Sequence, residues 1–358
     1  MAVPAYADLP LQWEDVLHVI AQSAESTDIQ GVPRSHFEAL SAVGAHGSPT
    51  EVRTWRELTE RLAAADASTW FCWAQHQTPL RTLEAGGNQP ASAKIQERWL
   101  AGLRSGHYLA AVAFAHIRRP GPANPVARRV NETWELDGTL DWVTSWDIAD
   151  VVMIMALTED TSEIVTFFIP SAGFVSEVTG VQVGAPLRLL SMSGTHTRPI
   201  TFTQAGIPNK YVFDISPFPT WQSADARKTL APNAAALGVA RGAINELESI
   251  AQARHSTELQ ELTDILTNRF LRLRDQAYAV IDLGDSATDS ELIESRVAIL
   301  EFARECAATV VIARAGAGMQ SGRSAERRVR ESMFLQVQAQ TATTRNAALG
   351  SVAKRFSA

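Results

Sequence analysis

The chain has 358 residues, of which 46% are apolar and 20% charged, and a formal net charge of −7. That length suggests two or three packed units, and the composition is that of a soluble globular protein. An acidic balance with no Lys/Arg-dense block argues against a nucleic-acid partner. Cys72 and Cys306 lie far apart in apolar helical surroundings, which reads as two buried thiols in a reducing cytoplasm and not as a disulfide or metal pair. No apolar run reaches membrane-spanning length and the N-terminus lacks a signal-peptide pattern, so a cytoplasmic protein without a membrane partner is expected.

Residues 1–107 read as an α-helical domain. Helical spacing covers Leu11, Val16, Leu17 and Ile20, and Pro33-Arg34-Ser35 starts a second helix before Phe37, Leu40 and Val43. Ser48-Pro49-Thr50 opens a third that runs to Ala65. Asp66 is the expected N-cap of an apolar helix containing Trp70 to Gln77, and a further helix ends near Ser105-Gly106.

Residues 108–219 read as a β domain, an antiparallel sandwich or barrel. Strand-like runs are Leu109–Phe114, Val130–Leu136, Leu140–Thr144, Val151–Leu157, Ile164–Pro170, Phe174–Val181, Leu187–Leu190 and Ile200–Thr203. Asp137-Gly138 between two alternating runs predicts a hairpin turn. Val151–Leu157, continuously apolar, predicts a strand buried on both faces. Residues 220–358 read as a C-terminal helical bundle, with Ala224–Ile250, Glu258–Asp282, Asp289–Ala315 and Ala325–Lys354 as helical stretches. Gly238 and Gly242 are small enough to let helices approach closely.

The run from Trp134 to Thr144, Trp-Glu-Leu-Asp-Gly-Thr-Leu-Asp-Trp-Val-Thr, is similar to the aromatic-x-hydrophobic-Asn-Gly-x-x-x-Trp-Ile-Thr hairpin of the acyl-CoA dehydrogenase superfamily. The Asp66-Ala-Ser-Thr-Trp70 helix start and the Leu190-Ser-Met-Ser-Gly-Thr195 run before Ile200-Thr-Phe202 also match, and all occur in the family's order. The chain thus resembles that superfamily over essentially its full length, which implies an α+β fold and a flavin, FAD or a reduced FMN/FAD supplied by a reductase. By the resemblance, Trp142 lies against the flavin ring, Thr144 bonds its polar edge and Ser145 adds a second polar contact. Arg254 stands for the arginine that reaches the cofactor of a neighbouring subunit, and Gly316 and Gly318 echo the glycines near the phosphates. A homodimer or homotetramer, acting on a small molecule or an acyl thioester, is implied in the same way.

Departures from the family pattern bear on the reaction. Dehydrogenation needs a carboxylate to remove a proton while the flavin takes hydride. Here the usual glutamate falls on Ala339 and the alternative position near Lys228. A relocated base would have to be Asp225 or Glu331. In the superfamily's monooxygenase branch, a histidine at the helix position of His76 contacts the oxygen adduct of reduced flavin; the plainer reading is a core histidine bonded to a carbonyl. His116, in the stretch Ala115–Pro122 that replaces the family's Thr-Glu-Pro-x-Ala-Gly-Ser-Asp, has a similar dual reading. Arg118 and Arg119 read as phosphate ligands or as solvated loop charges. No metal site is expected. A monooxygenase or hydroxylase, a dehydrogenase with a relocated base and a non-catalytic partner subunit are the three readings.

Overall fold

The computed structural model describes residues 3–47, 51–119 and 121–357. Five helices come first: α1 (Leu11–Gln30), α2 (Arg34–Ala42), α3 (Val52–Ala65), α4 (Ala67–Ala85) and α5 (Ser92–Ser105). The expected helix start at Ser48-Pro49-Thr50 lies outside the described residues; Glu51 caps α3 by accepting from Thr54 N. Asp66 is the N-cap of α4, its carboxylate accepting from Ser68 N and Thr69 N, which satisfies two of the orphan donors at a helix start.

The middle of the chain forms β1 (Ala110–Ala113), β2 (Val126–Val130), β3 (Thr133–Val143), β4 (Val151–Thr158), β5 (Glu163–Pro170), the short helix α6 (Phe174–Glu177), β6 (Val181–Val183), β7 (Arg198–Pro208) and β8 (Val212–Pro217). These strands make one mostly antiparallel sheet in the order β6-β7-β3-β2-β4-β5-β8. The exceptions are β1 and β2, which pair successively and in parallel with one edge of β4. Two expected strands differ. Phe174–Val181 opens with the turn of helix α6, and Leu187–Leu190 is irregular.

Asp137-Gly138 is not a turn. The β2–β3 turn lies at Asn131-Glu132, β3 runs straight through Gly138, and the register with β7 shifts between Leu136 and Gly138. Gly138 has φ +126°, and a Cβ there would stand 2.1 Å from Asn124 Oδ1. That oxygen accepts from Thr139 N at 2.7 Å. A loop side chain therefore occupies the bulge, and glycine is what admits it.

β4 is buried on both faces, which explains its unbroken apolar run. Val152 and Ile154 join Trp134, Leu136, Phe167 and Phe202 on one side. Met153 and Met155 face Leu80, Leu83, Trp99 and Leu103 of α4 and α5 on the other.

The remaining helices are α7 (Phe218–Leu230), α8 (Ala234–Arg254), α9 (Thr257–Asp282), α10 (Asp289–Arg314), α11 (Ser324–Val337) and α12 (Ala342–Ser357). The stretch expected as one helix from Ala224 is cut before α8, where Pro232 cannot continue a hydrogen-bonded ladder. The helices before and after the sheet share a single core: Leu58, Leu62 and Ala63 of α3 meet Leu237, Val239 and Ala240 of α8. At Gly238 the two approach so closely that a Cβ would sit 2.4 Å from Glu60 O.

Candidate functional site

Where β3 leaves the sheet, Trp142 is 46% exposed, whereas Thr144 and Ser145 are buried. Ser145 turns the chain with φ +67° and donates its N–H to Thr195 O at 2.9 Å; Trp146 N bonds His196 O at 3.2 Å. Met192 (φ +64°) and His196 (φ +53°) flank the opposite turn. Three non-glycine residues in the left-handed region at one crossing is a concentration of backbone strain of the kind found at functional sites. The hydroxyls form a chain: Thr144 Oγ1 lies 3.2 Å from Thr197 Oγ1, which lies 2.8 Å from Thr195 Oγ1. Ser145 Oγ is cut off from water without a regular hydrogen bond and faces the Cys72 thiol. Burial pushes that thiol up to about 12, so it is no thiolate. Thr195 ends the matched Leu190–Thr195 run and Thr197 follows it by two residues, yet neither they nor Cys72, read as a buried thiol, carried a site role in the sequence.

Behind this crossing, Asp66 Oδ2 accepts from Thr27 Oγ1 at 3.0 Å and Thr69 Oγ1 at 2.5 Å, joining α1 to α4. Ser68 Oγ reaches Met192 Sδ at 3.7 Å. The strained turn is thereby fastened to the start of α4.

The two histidines lie elsewhere on the sheet–helix junction. His76 is fully buried; its Nδ1 accepts from Ala110 N at 3.1 Å, so its Nε2–H donates to Leu103 O at 3.1 Å. Both nitrogens are committed to backbone, and the ring ties α4 to the end of α5 and to β1. His46 stacks on it with centroids 4.2 Å apart. His116, in the 3₁₀ turn Ala115–Arg118, donates Nε2–H to Met155 O at 2.7 Å, which leaves the lone pair of the neutral ring on Nδ1. Arg118 makes a bidentate pair with Asp225 at 2.7 Å for both contacts, and Arg119 pairs with Asp141 beside Trp142. Pro120 lies outside the described residues.

Burial, with Arg34 adding to it, pushes His46 down to about 4; burial opposed by the Met155 bond brings His116 to about 4; burial, then His46, drives His76 well below its usual range. A base whose pKa is depressed by folding stabilises the fold above its unfolded value near 6.5, and that stability is lost as pH falls towards 4. Urea midpoints should therefore drop between pH 6.5 and 4, with His46 and His116 each contributing roughly 3 kcal/mol. His46→Phe should flatten that slope; a slope left unchanged would refute the assignment.

Arg254 and the glycines form a second group. Arg254 Nη1 donates to Ala313 O at 2.7 Å, directly before the 3₁₀ turn Ala315–Met319 that carries Gly316 and Gly318. A Cβ at Gly316 would meet open space, whereas one at Gly318 would strike Val311 O at 2.8 Å. Arg254 also borders a hollow of about 280 Å³ with Ser249, Ala253 and Arg314. A larger cleft of about 610 Å³ between α1, α3 and α8 includes Arg61, Glu246 and Arg328. Its guanidiniums already pair with Glu14 and Glu246, and neither cleft contains Trp142 or Thr144. Of the other carboxylates considered, Glu331 is buried against Arg327 and Asp225 is held by Arg118. Among the described residues no cluster of three metal-ligating side chains occurs, and no helix is long and apolar enough to cross a membrane.

Solved structures align over nearly the whole chain. Butyryl-CoA dehydrogenase from Megasphaera elsdenii matches with a TM-score of 0.74 and 15% identity, covering 97% of this chain and 99% of that one. The chain has the acyl-CoA dehydrogenase fold. A glutaryl-CoA dehydrogenase from Mycobacterium smegmatis in complex with FADH2 shares this fold at TM-score 0.74 and 16% identity, covering 96% of this chain and 95% of its own. Dibenzothiophene monooxygenase from Paenibacillus sp. A11-2 does so at 0.71 and 16%, with 95% and 96% covered. No protein-family model matches the sequence, and no curated protein is similar to it.

Proposed function

We propose that the chain is a flavin-dependent oxidoreductase that uses reduced flavin and oxygen, a monooxygenase or hydroxylase acting on a small molecule or an acyl thioester. What favours this over a dehydrogenase is the sequence: at the two positions where the resemblance puts the base there is no carboxylate. Ala339 stands at one expected position and the other falls near Lys228; of the relocated candidates, Asp225 is paired with Arg118 and Glu331 is buried against Arg327.

The residues present fit a planar conjugated ring with a polar edge. Trp142 offers a half-exposed indole face, and the hydroxyls of Thr144 and Ser145 follow it at the end of the strand, buried, that of Ser145 against the Cys72 thiol. Arg254, with the open space at Gly316, suits the phosphate end, in a homodimer or homotetramer that brings a neighbour's cofactor to it. When bound, the flavin supplies the electrons that activate oxygen. The protein's part is to stack the ring, fix its edge and keep water away. His116 is held neutral by burial, its Nδ1 lone pair able to accept a hydrogen bond and not a proton; His76 secures the α4–β1 junction. The fold shared with a glutaryl-CoA dehydrogenase bound to FADH2 and with a monooxygenase supports this reading.

The absorbance spectrum of purified protein, followed by anaerobic flavin titration, tests it. Little retained flavin together with micromolar affinity for reduced FAD or FMN is expected. A stoichiometric, tightly held oxidised flavin that an acyl-CoA bleaches would establish a dehydrogenase instead. Binding in neither redox state would leave a partner subunit.

A further inference from the structure

We infer that Ser23 is a histidine-activated nucleophile, a site of covalent acylation where α1, α2 and α4 meet. It takes a small acyl group from an activated ester, and it is independent of the flavin reading above.

Ser23 is half-buried on α1, and its Oγ lies 2.9 Å from His36 Nε2 on α2. Across the ring, His36 Nδ1 lies 2.8 Å from Thr69 Oγ1 of α4, which lies 2.5 Å from Asp66 Oδ2. Nucleophile, base and carboxylate thus follow one another through three hydrogen bonds, with Thr69 between base and carboxylate.

A count of hydrogens fixes the tautomer. A threonine hydroxyl has one hydrogen, and a carboxylate only accepts; that of Asp66 already receives the amides of Ser68 and Thr69. Thr69 therefore donates to Asp66 and accepts from His36, so the imidazole hydrogen is on Nδ1. The lone pair of the neutral ring then stands on Nε2, facing Ser23. Among the described residues Ser23 is the only hydrogen-bonding partner found on that nitrogen. Burial lowers the basicity of His36 and Asp66 opposes it, so the ring is neutral near pH 7 while the imidazolium formed in a reaction meets a carboxylate behind it. A serine inside a helix commonly bonds a carbonyl one turn back, and Ile20 O lies 3.0 Å and Val19 O 3.3 Å from Ser23 Oγ. The imidazole is nearer than either, and it alone can carry the proton away.

In the reaction Ser23 Oγ bonds to the acyl carbon and its hydrogen passes to His36 Nε2. The ester oxygen leaves with the bonding pair and takes that proton, giving an acyl ester of Ser23 and a free alcohol. The backbone N–H groups beside Ser23 are engaged within α1, so none is aimed at the oxyanion, and such a donor contributes about 10²–10³-fold in rate. A good leaving group drives acylation regardless. Hydrolysis of the serine ester has no such help, so acylated protein accumulates.

The test incubates the full chain with p-nitrophenyl acetate, quenches in acid and locates acetyl groups by peptide mapping. Ser26 is the internal control, an exposed serine three residues on with no imidazole against it. Ser23 should be acetylated about 100-fold faster than Ser26. His36→Gln removes the base and should slow Ser23 by about the same factor. Thr69→Ser keeps the relay and should keep the rate, whereas Thr69→Val leaves the tautomer unfixed and should slow it at least about tenfold. A structural hydrogen bond alone would move none of these rates. Equal acetylation of Ser23 and Ser26 in wild type overturns the inference without recourse to any variant. So does a folded His36→Gln protein that acetylates Ser23 at the wild-type rate.

Discussion

Replacing Arg241 by methionine is expected to lower the unfolding free energy by about 3–5 kcal/mol, the cost of stranding buried charge. Its guanidinium, 2% exposed, lies 2.8 Å from Glu57 and 3.3 Å from Glu60, both of which are fully buried. Its other nitrogen donates to Pro4 O at 2.9 Å, where Arg274 also donates at 2.9 Å, and so fixes the N-terminal segment across α3, α8 and α9. Methionine fills similar volume, so the loss reports charge and not a cavity. Arg61 and Arg274 remain, at 3.6 Å from Glu57 and 3.9 Å from Glu60, too distant to replace it.

The pH dependence of that deficit has a definite sign. Burial, opposed by Arg241 and by the Tyr278 hydroxyl, pushes the Glu60 carboxyl up to about 7. A carboxyl raised by folding contributes stability that is present below its unfolded value near 4.5 and lost as pH rises through about 7. Without Arg241 the ionised form is disfavoured further, so the gap between wild type and Arg241→Met should widen from pH 5 to pH 8. Urea unfolding of both proteins across that range measures it. A gap that stays below 1 kcal/mol or narrows with pH would show that the network does not hold the fold.

Features set by local chemistry were legible in the sequence, and those set by distant partners were not. Asp66 was identifiable as an N-cap because the N–H donors it accepts from lie two and three residues away. The buried strand β4 showed itself in seven consecutive apolar residues. Asp137-Gly138 misled because a glycine that admits a turn equally admits a bulge, and the deciding atom, Asn124 Oδ1, belongs to a loop that leaves no periodic trace. Phe174–Val181 has strand-like composition, yet Gly173 in the left-handed region starts a helical turn there. At the site, Trp142 and Thr144 stood out by motif. The hydroxyl that Thr144 bonds, on Thr197, lies 53 residues away on the far side of the crossing. His76 was visible only as a histidine on an apolar helix; that both its nitrogens meet backbone depends on where α5 ends and β1 begins.

Trp142→Ala should weaken binding of reduced flavin by about 10- to 100-fold, since stacking on an aromatic face contributes about 1–3 kcal/mol. The same change should move the urea midpoint little. Trp142 is nearly half exposed, unlike Trp134 on the same strand, which is 6% exposed within the core, so truncating it removes little buried area. On the proposed reading this half-exposed indole, followed by the left-handed turn at Ser145, is the ligand face. Trp142→Phe keeps a ring and should recover most of the affinity. Trp134→Ala provides the converse, a protein that loses stability through its core before it loses affinity. If Trp142→Ala binds flavin as well as wild type while remaining folded, the end of β3 is not where the ring lies.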